Sequence, residues 1–144
     1  MTLARLVYYS HHRMAGGEQA WIAGLHTILE QSRRNNPAYD ITGALLFNMT
    51  HFTQVLEGPS DGVAEIYDRI ARDDRHTGVT LLQHQTVDGR VFPDWSMGGM
   101  LLGRETRDII ARHGINGSVD PAGLTGDAVV ALAADLSTNT VQCI

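Results

Sequence analysis

Five residues stand out for the chemistry they could do together: a phenol, two carboxamides, a carboxylate and a guanidinium, at Tyr8, Asn36, Gln54, Asp73 and Arg75. Asn and Gln each place donors and an acceptor on one planar group. The set offers no obvious general base, and no nucleophile beside a base partner. Its chemistry is that of recognition, and it suits a flat heterocycle with alternating amide-like edges, such as a flavin or a pterin. Gln54 poses the question most sharply. It sits in "HFTQVLEG", residues 51–58, which reads as a short strand. Side chains alternate along a strand, so Phe52, Gln54 and Leu56 share one face, and Phe and Leu mark that face as the inner one. An inward amide without partners costs free energy, so Gln54 has partners in the fold or faces a ligand.

The elements that must position these residues can be read from the periodicity. Leu3 to Ser10 reads as a strand with Leu6 and Tyr8 on one face and Val7 and Tyr9 on the other, followed by a loop at "HHRMAGG". From about Glu18 the residues Trp21, Ile22, Leu25, Ile28 and Leu29 form one apolar helical stripe. That helix stops near Asn35-Asn36-Pro37, because a residue before proline avoids the helical region. "DITGALLF", residues 40–47, is a nearly all-apolar second strand, and "NMT" turns it into the strand of Gln54. Ser60 is expected to N-cap a second helix, with Asp61 in its first turn and Val63, Ile66, Tyr67 and Ile70 as its stripe. "VTLLQHQTV" reads as a fourth strand and "VFPDWSMGGM" as a fifth. The order β-α-β-β-α-β plus a fifth strand predicts an α+β, ferredoxin-like split βαβ sheet with both helices on one face. The bare face needs a lid. Two tail segments, Arg104 to His113 and the apolar "GDAVVALAADL" of residues 126–136, are expected to form helices that supply it. The expected division is a sheet-and-helix domain over 1–100 and a helical extension over 101–144, packed on the sheet or at a subunit interface.

In this plan both helices turn from apolar to polar at their C-terminal ends. Leu25, Ile28 and Leu29 lead to Ser32, Asn35 and Asn36, while Ile66 and Ile70 lead to Asp73 and Asp74, flanked by Arg69. The two helices run roughly parallel in a split βαβ fold, so a polar pocket is expected between these ends. The sheet adds Tyr8 and Gln54 as its floor. Apolar walls with a few convergent polar groups describe a small-molecule site. Each residue also has a purely structural reading. Asn35-Asn36-Pro37 terminates helices in general, a core tyrosine can bond a backbone group, and Asp73 to His76 can be a solvated helix end.

The composition narrows the class. The 144 residues are 43% hydrophobic and 19% charged, which suits one domain with a sizeable core. The net charge is −5 and the basic residues, all arginine, form no block, so nothing marks a nucleic-acid footprint. The single cysteine, Cys143, permits no intrachain disulfide. No apolar run reaches membrane-spanning length, no histidine pair has good metal spacing, and no G-x-G-x-x-G or Walker loop occurs. A cytoplasmic domain is the expectation, with no nucleic acid and no membrane as partners.

From Leu3 to Met97 the chain resembles the BLUF family, the blue-light sensors that use FAD. The resemblance is carried by "LARLVYYS", "SRRNNPAYDITGALLF", "FTQVLEGP", "YDRIARDDRH" and "FPDWSM", in family order and at family-like spacing. It implies that Tyr8 is a redox-active tyrosine and Gln54 a switching glutamine between it and the flavin. Asn36 would bond the C4=O/N3 edge, with Asn35 alongside the ring. Arg69, Asp73 and Arg75 would contact the flavin or its ribityl-phosphate side, and Trp95 and Met97 would form a fifth-strand pair tied to signalling. It further implies that Tyr8 gives an electron to the light-excited flavin and sends its proton through the Gln54 amide. The radical pair then recombines, leaving Gln54 rotated or tautomerised, and a new hydrogen bond to C4=O shifts the absorption to the red. FAD is the implied cofactor, with FMN or riboflavin open, and the implied output is a separate protein partner, with a homo-oligomer open. Two other classes compete. A flavin oxidoreductase needs substrate space over the ring and an acid/base pair, which the sequence does not offer. A chromophore-free interaction module fits the fold, but the inward Gln54 argues against it.

Overall fold

The computed structural model describes residues 2–12, 16–48, 50–74, 76–103, 106–115 and 119–139. The chain runs through β1 (Leu3–His12), α1 (Glu18–Asn35), a 3-10 turn (Asn36–Tyr39), β2 (Thr42–Phe47) and β3 (His51–Pro59). It continues through α2 (Ser60–Ala71), β4 (His76–Val87), β5 (Gly98–Leu101), α3 (Arg107–Arg112), a second 3-10 turn (Pro121–Gly123) and α4 (Gly126–Asn139). The five strands form one mixed sheet in the order β4-β1-β3-β2-β5. β1 pairs antiparallel with both β3 and β4, β2 pairs antiparallel with β3, and β5 joins β2 in parallel. This is the split βαβ sheet with an added fifth strand.

Alternation sorts the strand residues onto two cores. On one face Leu6, Tyr8, Leu45, Phe52 and Leu56 pack with Leu25 and Leu29 of α1 and Val63 and Ile66 of α2. On the other, Val7, Ala44, Leu46 and Val55 pack beneath Ile110 of α3 and Val129, Leu132, Ala133 and Leu136 of α4. The last four recur at i, i+3, i+4 and i+7, one stripe of a helix, and they seat α4 as the lid on the second face. Among the described residues no helix is long and apolar enough to cross a membrane.

Four local expectations are corrected. β1 runs two residues further than Ser10, because His11 and His12 continue the ladders to β3 and β4. Pro59, not Ser60, takes the N-cap position of α2; Ser60 lies inside the helix and its hydroxyl donates to the Thr2 carbonyl. The fifth strand is only Gly98–Leu101, so Trp95 and Met97 precede it. Pro93 has no N–H for a ladder, and the N–H groups of Val91 and Phe92 are taken by the Glu57 carboxylate. Strand pairing begins only at Gly98, where a Cβ would overlap the Trp95 ring, and Gly99, where one would overlap Leu29. The first tail helix is likewise shorter than expected, starting at Arg107; Arg104 and Glu105 lie outside the described residues.

Candidate functional site

Tyr8 and Gln54 are directly opposite each other in the β1–β3 ladder, so their side chains leave the sheet side by side on the face toward α1 and α2. Tyr8 is 3% exposed and Gln54 4%. The phenol hydroxyl donates to Gln54 Oε1. The amide's other end, Nε2, donates to Met97 Sδ at 3.2 Å. One carboxamide therefore joins β1 to the segment that leads into β5. Burial, with Tyr67 and Asp73 nearby, pushes the Tyr8 phenol far above its usual range, so the hydroxyl keeps its proton at any ordinary pH.

Asn36 occupies the first position of the 3-10 turn that follows α1, immediately before Pro37. The sequence ends the helix there, and the turn carries the Asn36 side chain inward to 3% exposure. Its Nδ2 donates to the Ser96 carbonyl at 2.9 Å, and its own carbonyl accepts the Ile41 N–H at 3.1 Å. One turn earlier, Arg33 Nε donates to the Met97 carbonyl at 2.9 Å. The stretch Ser96–Met97 is thus held by Arg33, Asn36 and Gln54 together.

Above Tyr8 and Gln54, between the C-terminal ends of α1 and α2, lies a cavity of about 170 Å³. Its walls are apolar at Ile28, Leu45, Phe52, Ile66 and Ile70, and polar at Asn35, Asn36, Arg69 and Asp73. The expected convergence of the two helix ends is what the fold shows. Arg69 also lies over the Tyr39 ring, 5.1 Å from its centroid, and donates to the Tyr39 hydroxyl at 2.6 Å. Arg75 lies outside the described residues.

Trp95 and Met97 do not act as a strand pair. Met97 joins the core under the cavity. Trp95 packs against the opposite core and stacks on Phe92 with ring centroids 6.1 Å apart. Its carbonyl accepts the Gly43 N–H at 3.0 Å. Residues 95–97 thus pass from one face of the sheet to the other.

Reading the sequence missed His76, which lines the cavity at the start of β4. Its Nε2 contacts the Ile70 carbonyl at 2.6 Å and its Nδ1 the Ser10 hydroxyl at 2.7 Å. A carbonyl only accepts, so Nε2 carries a proton. The ring fastens the end of α2 to the strand that bears Tyr8, and it stands edge-on to Tyr8 at 6.4 Å. The signal was available: His76 and Ser10 both fall on the inner face once β4 is extended back to residue 76.

The walls and donors fit a flat heteroaromatic ring. Ile28 of α1 and Ile66 and Ile70 of α2 line the cavity together with the carboxamides of Asn35, Asn36 and Gln54 and the Arg69 guanidinium. Comparison with known proteins agrees with this chemistry. The family described as "BLUF: Sensors of blue-light using FAD" matches residues 3–98. The chain is 40% identical over 74 residues to photoactivated adenylate cyclase subunit beta of Euglena gracilis, covering 51% of this chain and 9% of that protein. It is 38% identical over 90 residues to the blue light- and temperature-regulated antirepressor BluF of Escherichia coli (strain K12), covering 62% and 21%. The match therefore spans 9 to 21% of the length of these curated relatives. Among solved structures, the photo-activated state of BlsA is similar at a TM-score of 0.79 and 25% identity, covering 93% of this chain and 94% of that one. The dark state of the BLUF protein BlrB is similar at a TM-score of 0.68 and 33% identity, covering 90% and 96%. With two thirds of its length matched and the cavity where the sequence placed it, this chain is a member of the BLUF family, the sensors of blue light that use FAD.

Proposed function

We propose that this chain is a non-catalytic photoreceptor in which Tyr8 and Gln54 convert light absorption into a rearranged hydrogen-bond network, which Met97 and Trp95 carry across the sheet to a separate protein partner. The observation that supports it is the position of one amide: Gln54 holds the Tyr8 hydroxyl at one end and Met97 Sδ at the other, in the floor of the cavity. FAD, when bound, supplies the blue-light absorption and the electron acceptor. Asn36, Asn35, Arg69 and Asp73 are the described residues proposed to hold it, with Arg75 as a further candidate.

Tyr8 is buried and firmly protonated, so it cannot act as a base or release a proton first. It can give an electron, and loss of an electron turns a phenol into a strong acid. The proton then has one adjacent acceptor, Gln54 Oε1, along the bond already formed. When the electron and the proton return to Tyr8, Gln54 is left rotated or tautomerised and no longer presents the same donor to Met97 Sδ. The bonds of Arg33 and Asn36 to residues 96 and 97 then bear the change, which reaches Trp95 on the face covered by α4. Among the relatives, one is described as a photoactivated adenylate cyclase subunit and another as a blue light- and temperature-regulated antirepressor. For this chain the proposed output surface is the α3–α4 extension, residues 101–144, over the flavin domain of residues 1–100.

Absorption spectra of the FAD-loaded protein, in the dark and after blue light, test the reading. A reversible red shift is expected. Tyr8→Phe is expected to bind FAD and lose the shift, and a Tyr8→Phe protein that keeps it contradicts the mechanism. Bleaching of the flavin by NAD(P)H in the dark would favour an oxidoreductase instead.

A further inference from the structure

Glu57 lies three residues beyond Gln54 on β3 and points to the opposite face. It is 0% exposed, the most complete burial among the described acidic residues. A buried carboxylate is costly unless its oxygens are all engaged. Here they are. Oε1 accepts the Phe92 N–H at 2.8 Å and the Val91 N–H at 3.0 Å, and Oε2 accepts the Val91 N–H at 2.9 Å and Arg5 Nε at 2.9 Å. Arg5 reaches on to the Gly89 carbonyl at 3.4 Å. From the other side Arg90 donates to Thr42 Oγ1 at 2.9 Å and pairs with Asp40 at 3.0 Å. Residues 89–92 are therefore gripped by side chains of β1, β2 and β3 and by the turn before β2.

That grip fixes the start of the segment whose far end is held by Arg33, Asn36 and Gln54. Phe92, whose N–H the carboxylate holds, is the residue on which Trp95 stacks. Only Pro93 and Asp94 separate the two. A buried ion pair is weak evidence of a stabilising role, since well-packed apolar residues often serve as well. A carboxylate that takes two successive backbone N–H groups does something an apolar pair cannot: it sets the direction in which the chain leaves the sheet.

We propose that Glu57 is a positioning residue for the Trp95–Met97 segment, its carboxylate anchoring Val91 and Phe92 so that Trp95 stays stacked on the α4-covered face and Met97 stays against Gln54. The proposal rests on the function proposed above for Met97 and Gln54. A rearrangement at Gln54 then works against a fixed origin, and the energy needed to move Met97 is set partly by Glu57, which touches neither the cavity nor Tyr8.

The test uses the full chain carrying Trp21→Phe, which leaves Trp95 as its single tryptophan. Glu57→Gln removes one acceptor oxygen. The expected result is a red-shifted Trp95 emission in the dark, together with a lifetime of the light-adapted form changed by about threefold or more, the scale of one hydrogen bond. The size of the flavin red shift should be kept. Parental emission and parental lifetime, with only a lower thermal midpoint, would overturn the proposal. Should Glu57→Gln not fold, Arg90→Gln loosens the same segment from the solvent side and must move the same two readouts; a folded Arg90→Gln that leaves both unchanged overturns it equally. If the parent shows no red shift at all, the functional reading fails, and the Trp95 emission still decides the role of Glu57.

Discussion

The two faces of the sheet are built by the same strands and differ by one residue in register. Toward α1 and α2, Tyr8, Ser10, Asn36 and Gln54 interrupt the apolar pattern around a cavity. Toward α4, the pattern Val7, Ala44, Leu46, Val55 meets Val129, Leu132, Ala133 and Leu136. β3 buries Gln54 on one face and Thr53 and Glu57 on the other, and the contrast between Gln54 and Glu57 is instructive. Glu57 spends its oxygens on backbone N–H groups and Arg5, partners that the fold itself supplies. Gln54 stands at a cavity wall and shares its amide between a phenol and a thioether. A neutral amide can reverse its donor and acceptor ends by turning over, whereas an ionised carboxylate only accepts. Burial of a polar group is therefore not in itself a sign of function; what matters is whether its partners leave it an alternative arrangement.

The comparison can be broken at several points. The largest expected effect is on the closed face. Leu132→Ala, at a fully buried position of α4, should lower stability by about 2–5 kcal/mol in chemical denaturation while the flavin red shift persists. Loss of the red shift in a folded Leu132→Ala protein would show that the faces are not separable. The next effect belongs to the open face and comes from Tyr8. Its phenol is held above the unfolded value of 10.0, so the unfolded chain loses a proton first as pH rises. Stability is then complete below about pH 10 and falls by about 1.4 kcal/mol per pH unit above it until the folded phenol ionises. Tyr8→Phe should remove that part of the alkaline slope. Smaller still is Met97→Leu, which keeps volume and removes the sulfur acceptor. It should cost under about 1.5 kcal/mol yet alter the lifetime of the light-adapted form. Smallest is Arg72→Ala, which deletes an exposed pair with Asp68 and should change stability by only about 0.3–0.5 kcal/mol and the photocycle not at all.

Much of the open face was legible because it follows from period alone. Alternation put Tyr8 and Gln54 inward, and helical stripes put Asn36 and Asp73 at neighbouring helix ends. The proline after Asn36 fixed the turn that carries its side chain into the wall. The segment 91–97 was misread as a strand because Val91, Phe92, Trp95 and Met97 have strand-like character. Their conformation is set instead by distant groups, with the Glu57 carboxylate on two N–H groups and the Trp95 carbonyl on Gly43. No window of neighbours contains that information. Ser60 failed as a cap for a related reason, since its hydroxyl was drawn to the Thr2 carbonyl across the sheet end. His76 was passed over because the fourth strand was begun at Val79; begun at residue 76, it places His76 on the inner face with Ser10, and docking adds the Ile70 carbonyl as its second partner.

The central claim is that the Gln54 amide is the moving part, and one substitution addresses it directly. Gln54→Leu keeps a side chain of similar size in the cavity floor but has no amide to turn or to pass a proton. Light-minus-dark absorption of FAD-loaded Gln54→Leu should show a bound flavin and no red-shifted form after blue light. A red shift of parental size in that variant would contradict the account.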